Sequence, residues 1–277
     1  MTQYLNEKFN YNSAAFVSIY DELPIWSAPF GLKLLDNVRM KKGMRILDVG
    51  PGTGFPLIEL AQRLGKDGEA FGIDPWSAAL KRIDLKIKNF RLKNIILVNG
   101  AIEDPPFPDN YFDLIVSNNG LNNVDNIDKA LNECYRMLKP GGKLQFTYNL
   151  PGTMIEFYSV FEQVLKKEKI REGSNKLKQH IFEKRKPLEF VFDLLIKNDF
   201  KLSELTTDEF KYRFVDGSAF LNHYFIKFAF LESWKNIVGK NDMKRVFAEV
   251  EERLNKIAKN SGGLSLSIPF AFIECEK

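Results

Sequence analysis

The chain has 277 residues, 44% of them hydrophobic, and is long enough to bury a full core without disulfide bonds or a structural metal ion. Its two cysteines are far apart and have no His or Cys neighbour at ligand spacing, and no uncharged stretch is long enough to cross a membrane, so we expect a soluble, cytoplasmic protein with no metal site. The net charge of +4 is exceeded by residues 166–186 alone, where nine Lys and Arg face three Glu; the near-neutral remainder argues against a generally nucleic-acid-binding surface.

Residues 1–42 are rich in aromatic side chains that prolines interrupt. This pattern predicts short helices broken by turns. The segment could pack against the rest of the chain, or it could form a helical lid in which Tyr20 or Trp26 closes over a ligand.

From residue 43 onward, strand and helix patterns alternate. Their order predicts right-handed crossovers and a parallel sheet. The predicted strands are 45–49, 69–73, 95–99, 112–117 and 143–148, and the predicted helices are 55–64, 76–90 and 125–138. The segment Lys139-Pro140-Gly141-Gly142 predicts a helix stop and a turn before the fifth strand.

Residues 151–187 are helical in pattern and highly charged, which predicts an insertion into the α/β core of residues 43–150. An amphipathic helix at 188–196, a strand at 200–206 and a strand at 264–274 are expected to complete the core. Between these strands, residues 208–262 predict a second helical insertion. Within it, residues 217–260 predict two helices, the first of them dense in aromatic residues. We expect the basic tract 166–186 to be a solvated helical face, with binding of an acidic partner as the alternative.

A glycine-rich turn follows the first predicted strand. Gly50, Gly52 and Gly54 are spaced by two residues and lead into a helix, so backbone N–H groups at the helix start are available to a ligand. The fingerprint of nicotinamide and flavin cofactors needs a third glycine where this chain has Phe55. Asp74 ends the second strand, 20 residues after Gly54, where a carboxylate can accept hydrogen bonds from both hydroxyls of a ribose.

Four segments together resemble the class I S-adenosylmethionine-dependent methyltransferases. They are Ile46-Leu47-Asp48-Val49-Gly50-Pro51-Gly52-Thr53-Gly54, then Gly72-Ile73-Asp74, then Gly100 to Asp109 followed by Phe112 to Asn118, and finally Leu138-Lys139-Pro140-Gly141-Gly142. Within that family, the segment Pro106-Phe107-Pro108-Asp109 and the pair Tyr20-Asp21 are most similar to the small-molecule branch that includes the ubiquinone and menaquinone C-methyltransferases. The resemblance covers residues 43–150 well and does not extend to 151–186 or 208–262.

The resemblance implies a Rossmann-like, seven-stranded, mostly parallel sheet with helices on both faces and an antiparallel last strand. It also implies S-adenosylmethionine as cofactor, with S-adenosylhomocysteine as product. The glycine turn would contact the methionine portion and ribose, and Asp74 would bind the ribose hydroxyls. The implied adenine contacts are Ala101, Ile102 and Glu103, and the backbone of Ser117 and Asn118 would lie under the sulfonium.

Residue chemistry agrees with these implied roles. Ile102 can form an apolar wall, while Glu103 or the neighbouring Asp104 can accept a hydrogen bond from an exocyclic amine. Pro75 and Trp76 could wall the other adenine face, with core packing as the alternative for Trp76. Asp48 is a further candidate cofactor-binding residue, because it ends the first strand near where the ligand's ammonium group or the amides of the turn would lie. Its carboxylate could also order the turn without touching the cofactor.

The acceptor site has weaker signals. The segment Ser117 to Asn123 lacks the Asp/Asn-Pro-Pro-aromatic motif of the amide and base N-methyltransferases, which lowers the odds of a DNA or protein-amide substrate. Asn119, Asn122 and Asn123 could orient a polar acceptor or could cap the loop and helix before Asp125. His223 is the candidate base, and Tyr224 belongs to an aromatic helix that could form an acceptor pocket or a dimer contact.

The leading hypothesis is therefore a methyltransferase acting on a small molecule, either as a monomer or as a homodimer. A non-catalytic S-adenosylmethionine or S-adenosylhomocysteine binding module is the alternative from a different functional class. An RNA methyltransferase, motivated by the basic tract, is the third hypothesis.

Overall fold

A computed structural model describes residues 2–22 and 26–277 of the chain. These residues divide into two compact units. The α/β unit comprises residues 10–149, 187–208 and 270–277, and the helical unit comprises residues 2–9, 150–186 and 209–269. In the described residues, no helix is both long enough and apolar enough to cross a membrane.

A seven-stranded sheet is the main feature of the fold, with strand order β3-β2-β1-β4-β5-β7-β6. Its strands are β1 Arg45–Val49, β2 Glu69–Asp74, β3 Ile95–Asn99, β4 Phe112–Asn118, β5 Leu138–Asn149, β6 Lys201–Phe214 and β7 Leu264–Glu276. Strand β1 pairs in parallel with β2 and β4, and β7 pairs antiparallel to β5. The predicted fold, with its antiparallel last strand, is confirmed. In sheets of this type, ligands bind at the carboxyl ends of the parallel strands.

Helices follow the strands in the α/β unit and account for most of the helical unit. They are α1 Ala14–Asp21, α2 Ala28–Asn37, α3 Leu57–Leu64, α4 Ser77–Phe90, α5 Ile127–Met137, α6 Ile155–Lys167, α7 Gly173–Lys184, α8 Leu188–Lys197, α9 Gly217–Asn222, α10 Tyr224–Ile226, α11 Glu232–Val238 and α12 Met243–Ser261. Short 3-10 turns occupy Gln3–Asn6, Gly65–Asp67 and Gly120–Asn122, and a π-helical turn occupies Lys227–Leu231.

Helix α3 is packed on two sides, which fixes the glycine turn that precedes it. Leu60 of α3 joins a buried cluster with Ile46 of β1 and residues of α2 and β4. Leu57 and Ala61 of the same helix join a second cluster with Ala70 of β2 and residues of α4. Side chains three and four residues apart are neighbours on one face of a helix, so Leu57, Leu60 and Ala61 form a single apolar stripe that contributes to both clusters. The N-terminus of α3 is therefore held firmly by burial.

Two local predictions differ from the structure. The segment Lys139 to Gly142, predicted as a turn, lies inside β5, where the pairing with β4 jumps from Phe112↔Leu138 to Leu114↔Lys143. The extra residues form a bulge, which hydrogen bonds between this segment and Lys277 support. The two helices predicted across 217–260 are instead several shorter helices followed by the long α12, because His223 and Gly239 interrupt the helical backbone.

Candidate functional site

The carboxyl ends of the first strands border a cavity of about 370 Å³ in the α/β unit. Most of the residues predicted to bind a cofactor line it, together with several that were not predicted. The lining residues are Tyr20, Val49, Gly50, Gly52, Ile73, Asp74, Pro75, Trp76, Ala101, Ile102, Glu103, Gly120, Asn123, Val124 and Asp125. This volume lies within the roughly 300–1,000 Å³ of small-molecule sites.

The glycine turn forms the floor of this cavity. Gly50 has φ +75° and Gly52 has φ +53°, a backbone region that favours glycine. A Cβ atom on Gly120, from the loop after β4, would lie 2.2 Å from the carbonyl oxygen of Val49, so the two loops approach more closely than any side chain permits. The floor is therefore bare backbone, which a ligand can approach directly.

Asp74 links the floor to the wall of the cavity. Its Oδ2 accepts a hydrogen bond of 2.9 Å from the backbone N–H of Gly52, and its Oδ1 accepts one of 2.8 Å from the N–H of Trp76. The residue is only 7% exposed, and burial raises the pKa of its carboxyl group, although these two hydrogen bonds act in the opposite direction. Each oxygen keeps a second acceptor position for a ligand.

Two aromatic side chains, Tyr20 of α1 and Trp76 after β2, line one side of the cavity. The Trp76 indole Nε1 donates a hydrogen bond of 3.0 Å to the carbonyl oxygen of Tyr11, and the Trp76 ring meets Tyr20 edge-on with centroids 5.1 Å apart. Burial and the negative charge of Asp74 raise the pKa of Tyr20. Tyr20 of α1 therefore lines the cavity, and a lid role for the N-terminal segment stays a prediction; Leu23, Pro24 and Ile25 of that segment lie outside the described residues.

Ion pairs join α1 to α4, and a lysine of α4 also binds the glycine turn. Asp21 pairs with Arg82 at 2.7 Å and with Lys86, and Lys86 Nζ also donates to the carbonyl oxygen of Thr53 at 2.8 Å. Burial acts to raise the pKa of Asp21, but the hydrogen bonds from Lys86 and Arg82 outweigh it, so the pKa lies below its ordinary value. Tyr20 therefore lines the cavity, while Asp21 connects α1 to α4 and, through Lys86, to the glycine turn.

Glu103 holds the loop on the other side of the cavity. Its Oε1 accepts hydrogen bonds from the backbone N–H groups of Asp125 and Asn126, at 2.9 and 3.1 Å. These N–H groups precede α5, whose first turn is also capped by the Asn126 side chain. Ile102, beside Glu103, is buried and supplies an apolar lining surface.

Glu103→Ala is expected to loosen this loop, because two backbone N–H groups lose their acceptor. We expect ligand affinity at the cavity to fall about tenfold, in line with roughly 1–2 kcal/mol for lost capping hydrogen bonds. Glu103→Gln keeps an acceptor oxygen and should retain most of the affinity, as isothermal titration would measure. Equal losses in both variants would contradict a loop-holding role.

Asp48 lies beneath the glycine turn and is fully buried. In the part of the chain that the structure describes, neither of its carboxyl oxygens has a hydrogen-bond partner. Burial raises the pKa of Asp48 to about 8, the negative charge of Asp74 adds to the rise, and the backbone N–H of Leu57 offsets part of it. At neutral pH this side chain is therefore largely protonated.

Asp48→Asn is expected to increase stability, increasingly so as the pH rises. An aspartate in an unfolded chain titrates near pH 3.9, so between about pH 4 and pH 8 the folded state holds a proton that the unfolded state has lost. The contribution of Asp48 to the unfolding free energy of the wild type is therefore greatest below about pH 4 and decreases as the pH rises toward 8. The difference in unfolding free energy between variant and wild type, measured by denaturant titration, should grow across that window and then level off. A difference independent of pH would contradict the assignment.

The remaining predicted residues of the α/β unit are not among those that line the cavity. Ser117 is fully buried and ties β4 to β1, because its hydroxyl donates to the carbonyl oxygen of Val49 at 2.9 Å. Asn118 donates to the carbonyl oxygen of Ser27 and accepts from Thr147. Gly54 has φ +112° and packs against α3 and α4, while Trp26 packs 6.0 Å from Phe30.

Asn119 and Asn122 follow β4 and carry unsatisfied amide groups. Asn119 has φ +60°, and neither its side-chain oxygen nor its side-chain nitrogen has a partner among the described residues. The Asn122 side-chain oxygen accepts from the N–H of Asn149 at 3.2 Å, but its nitrogen is buried without a partner in the described chain. Buried amides that the protein leaves unpaired are suited to bind a polar ligand.

His223 and Tyr224 belong to the helical unit. The His223 ring lies within 3.5 Å of the Tyr212 hydroxyl and packs against Phe214. Burial and the positive charge of Lys227 lower the pKa of His223, so its imidazole is neutral at pH 7. Tyr224 packs edge-on with an aromatic neighbour, Phe9, at 5.4 Å. A catalytic role for His223 and a substrate role for Tyr224 stay predictions.

Several lining residues were missed by sequence reasoning. Val49 and Ile73 adjoin predicted positions, and their strand-end location was the available signal. Gly120 is a glycine three residues after the end of a predicted strand, and this could have marked a close backbone approach. Val124 and Asp125 lie in the loop that the Glu103 carboxylate holds, and the local sequence contains no signal for that contact. Asn123, which the sequence suggested as a residue that could orient the acceptor, lines the same cavity.

Comparison with protein families identifies the α/β core. Residues 47–146 match a family described as a methyltransferase domain. The demethylmenaquinone methyltransferase of Geobacillus sp. (strain WCH70) is 35% identical over 127 residues, which is 46% of this chain and 54% of that protein. The enzyme of the same name from Listeria welshimeri is 37% identical over 132 residues, which is 46% of this chain and 56% of that protein. The chain thus spans about half the length of the curated relatives it matches.

Solved structures extend the similarity of fold. The YcgJ protein from Bacillus subtilis superposes with a TM-score of 0.60 at 15% identity, covering 90% of this chain and 98% of that chain. At this identity the likeness concerns the fold alone. The family match and the sheet order therefore show that residues 47–146 are similar to a methyltransferase domain, and the glycine turn and Asp74 lie within this matched segment.

Proposed function

We propose that this protein transfers a methyl group from S-adenosylmethionine to a small-molecule acceptor. The observation that supports this most strongly is the hydrogen bond between the Gly52 backbone and Asp74, on the lining of one cavity that also contains Ile102 and Glu103. A bare glycine floor, a buried carboxylate and an apolar wall are complementary to a nucleoside that carries a charged amino-acid tail.

The residues present fit this cofactor. Asp74 would accept hydrogen bonds from the ribose hydroxyls at its remaining acceptor positions. Ile102 on one side and Pro75 with Trp76 on the other would enclose the adenine, and stacking on an aromatic ring contributes roughly 1–3 kcal/mol per base. Gly50 and Gly52 would lie against the methionine portion, where any side chain would occupy the ligand's place.

The bound cofactor supplies an electrophilic methyl group on a sulfonium, and the chain's own task is alignment. Holding two reactants in line can supply roughly 7–11 kcal/mol of the activation barrier. The unpaired amide of Asn119, next to the cavity-lining Gly120, is the group that we assign to orienting the acceptor.

Asn119→Gly is expected to lower kcat/KM for the acceptor without changing affinity for S-adenosylmethionine. Glycine tolerates the positive φ of this position, so the change removes the amide and adds no backbone strain. One hydrogen bond to a neutral group corresponds to a loss of about three- to tenfold. Initial-rate kinetics and cofactor titration of the same preparation separate the two quantities, and a matching loss of cofactor affinity would contradict the assignment.

Transfer of a labelled methyl group tests the proposed function. The name of the relatives makes a demethylmenaquinone the first acceptor to try, followed by extracts of small metabolites. Wild-type protein should label a small molecule, and Asp74→Ala should not. Tight cofactor binding with no labelled product from any small-molecule pool would favour the non-catalytic binding module instead.

The basic tract 166–186 gives little support to an RNA substrate. Lys166 pairs with Glu162 at 2.9 Å and Lys167 pairs with Glu249 at 2.7 Å, so part of its charge is compensated within the helical unit. Arg185 is buried. Neutralising Lys184 and Lys186 should therefore leave any RNA affinity and its salt dependence unchanged.

A further inference from the structure

Arg185 is the most unusual charged residue of the helical unit. It is only 3% exposed, and no carboxylate pairs with it within residues 2–22 and 26–277. Its Nε–H is buried and has no acceptor in the described chain. An arginine is always charged, and a buried charge costs several kcal/mol unless an opposite charge compensates it. The guanidinium lies over the rings of Tyr158 and Phe230, at 5.6 and 5.9 Å from their centroids, but no anion among the described residues compensates its charge.

A chain of hydrogen bonds leads from Arg185 to the neutral imidazole of His180. The Tyr158 oxygen accepts from Arg185 Nη1 at 3.2 Å and from Trp234 Nε1 at 3.1 Å, and it lies 3.4 Å from His180 Nε2. The Arg185 and Trp234 donors occupy both acceptor positions of the Tyr158 oxygen, so toward His180 the hydroxyl acts as a donor. The acceptor of its proton is His180 Nε2. Burial and the positive charges of Arg185 and Lys184 lower the pKa of His180 to about 4, so the ring is neutral and can accept.

His180 ends this chain at a second cavity, of about 290 Å³, between α7 and α11. Lys176 and Lys184 supply positive charge there, and Ser233 and Asn236 supply polar groups. The acidic residue in the lining, Glu183, has its Oε1 engaged by Gln179 at 2.8 Å. Because Nε2 of His180 is the acceptor for Tyr158, the other ring nitrogen carries the hydrogen and is a donor.

We propose that this cavity is a binding site for an oxyanion, the phosphate or carboxylate group of a small ligand. His180, Lys176 and Lys184 are its donors, and the buried Arg185 provides, through Tyr158 and His180, the positive charge that the anion compensates. This site is built entirely from the helical unit and does not depend on the proposed methyl transfer. It also assigns a role to the end of the basic tract, which the methyltransferase domain does not use.

The chain's two histidines make the site accessible to spectroscopy. Proton–carbon correlation spectra of the imidazole rings, with His223→Gln to assign the signals, would be recorded during titrations with inorganic phosphate and with acetate. Chloride at equal ionic strength is the reference. We expect a saturable shift of the His180 signals with phosphate or acetate and no comparable shift of His223. A stronger response to phosphate indicates a phosphate-bearing ligand, and a stronger response to acetate indicates a carboxylate.

Variants separate this site from a general salt effect. Arg185→Met should weaken oxyanion binding about tenfold or more, since interactions with a charged group are worth roughly the 1.4 kcal/mol that a tenfold change requires. Lys178→Met removes an exposed cation of the same helix outside the cavity lining and should leave binding unchanged. If Arg185→Met does not fold, two other variants test the site. Tyr158→Phe interrupts the hydrogen bonds between Arg185 and His180, Lys184→Met removes a donor of the cavity, and both should weaken binding.

Two results would overturn the proposal. The first is a His180 response to phosphate and acetate that equals the response to chloride. The second is equal oxyanion affinity in wild type, in the Arg185 or Tyr158 variant and in Lys184→Met, because the buried charge and its relay would then have no part in binding.

Discussion

Asp74→Ala is expected to abolish measurable binding of S-adenosylmethionine. The substitution removes the proposed acceptor of the ribose hydroxyls and also releases the backbone N–H groups of Gly52 and Trp76, which the carboxylate holds at 2.9 and 2.8 Å. Hydrogen bonds to a charged group contribute roughly 1.5–3 kcal/mol each, so losing two of them corresponds to about a hundredfold loss or more. Isothermal titration with S-adenosylhomocysteine measures this directly.

Asp104→Ala is the matched control for Asp74→Ala. Asp104 is an exposed carboxylate close in sequence to the cavity-lining Glu103, but it does not itself line the cavity. The control should bind as the wild type does. Unchanged affinity in Asp74→Ala would contradict the placement of the ribose.

Gly52→Leu is expected to block the cavity while the protein stays folded. A Cβ atom at this position would meet no protein atom within 4 Å, so the added side chain would extend into open space at the cavity lining. The positive φ of +53° adds a backbone cost of roughly 1–2 kcal/mol. We expect a loss of cofactor affinity of about a hundredfold or more, because the side chain would occupy the ligand's place.

Gly262→Leu carries a left-handed backbone cost without the obstruction. Gly262 has a φ of +75° in the left-handed region, and an added Cβ atom would likewise meet no neighbour within 4 Å, but this glycine follows α12 and is not part of the cavity lining. Both variants should lose similar stability in thermal unfolding, and only Gly52→Leu should lose binding. Similar binding losses in both would attribute the effect to strain instead.

Local sequence signals were sufficient to locate most of the residues that line the cavity. Asp74 was identifiable because it ends a buried strand at a fixed distance from a glycine turn, and both features depend on neighbours in sequence. The parallel order of the strands brings these ends to one edge of the sheet, so Gly52 and Asp74 had to meet. Their hydrogen bond is thus a consequence of topology that the alternating pattern already contains.

Contacts between distant segments were not predictable from the chain. Lys86 joins Asp21 to the carbonyl oxygen of Thr53, and no periodicity reveals that a lysine on one helix serves two separate segments. The hydrogen bond from Asp125 to Glu103 likewise joins residues 22 positions apart through a loop. Such contacts depend on tertiary packing, which overrides local preference.

Arg185 shows that the charge composition of a segment does not predict the solvent exposure of each residue in it. The basic tract predicted a solvated helical face, and most of its members are exposed. Arg185, however, follows the last residue of α7 with φ −146°, so helical periodicity does not determine which way its side chain points. Its packing against the rings of Tyr158 and Phe230 became visible only in the folded helical unit.

A crystal structure of the protein with S-adenosylhomocysteine would test the central claim most directly. The ribose hydroxyls should lie within hydrogen-bond distance of the Asp74 carboxylate, and the adenine should lie between Ile102 and Trp76. The homocysteine portion should lie over Gly50 and Gly52. Electron density for the ligand at any other place, with this cavity empty, would contradict the assignment of the site.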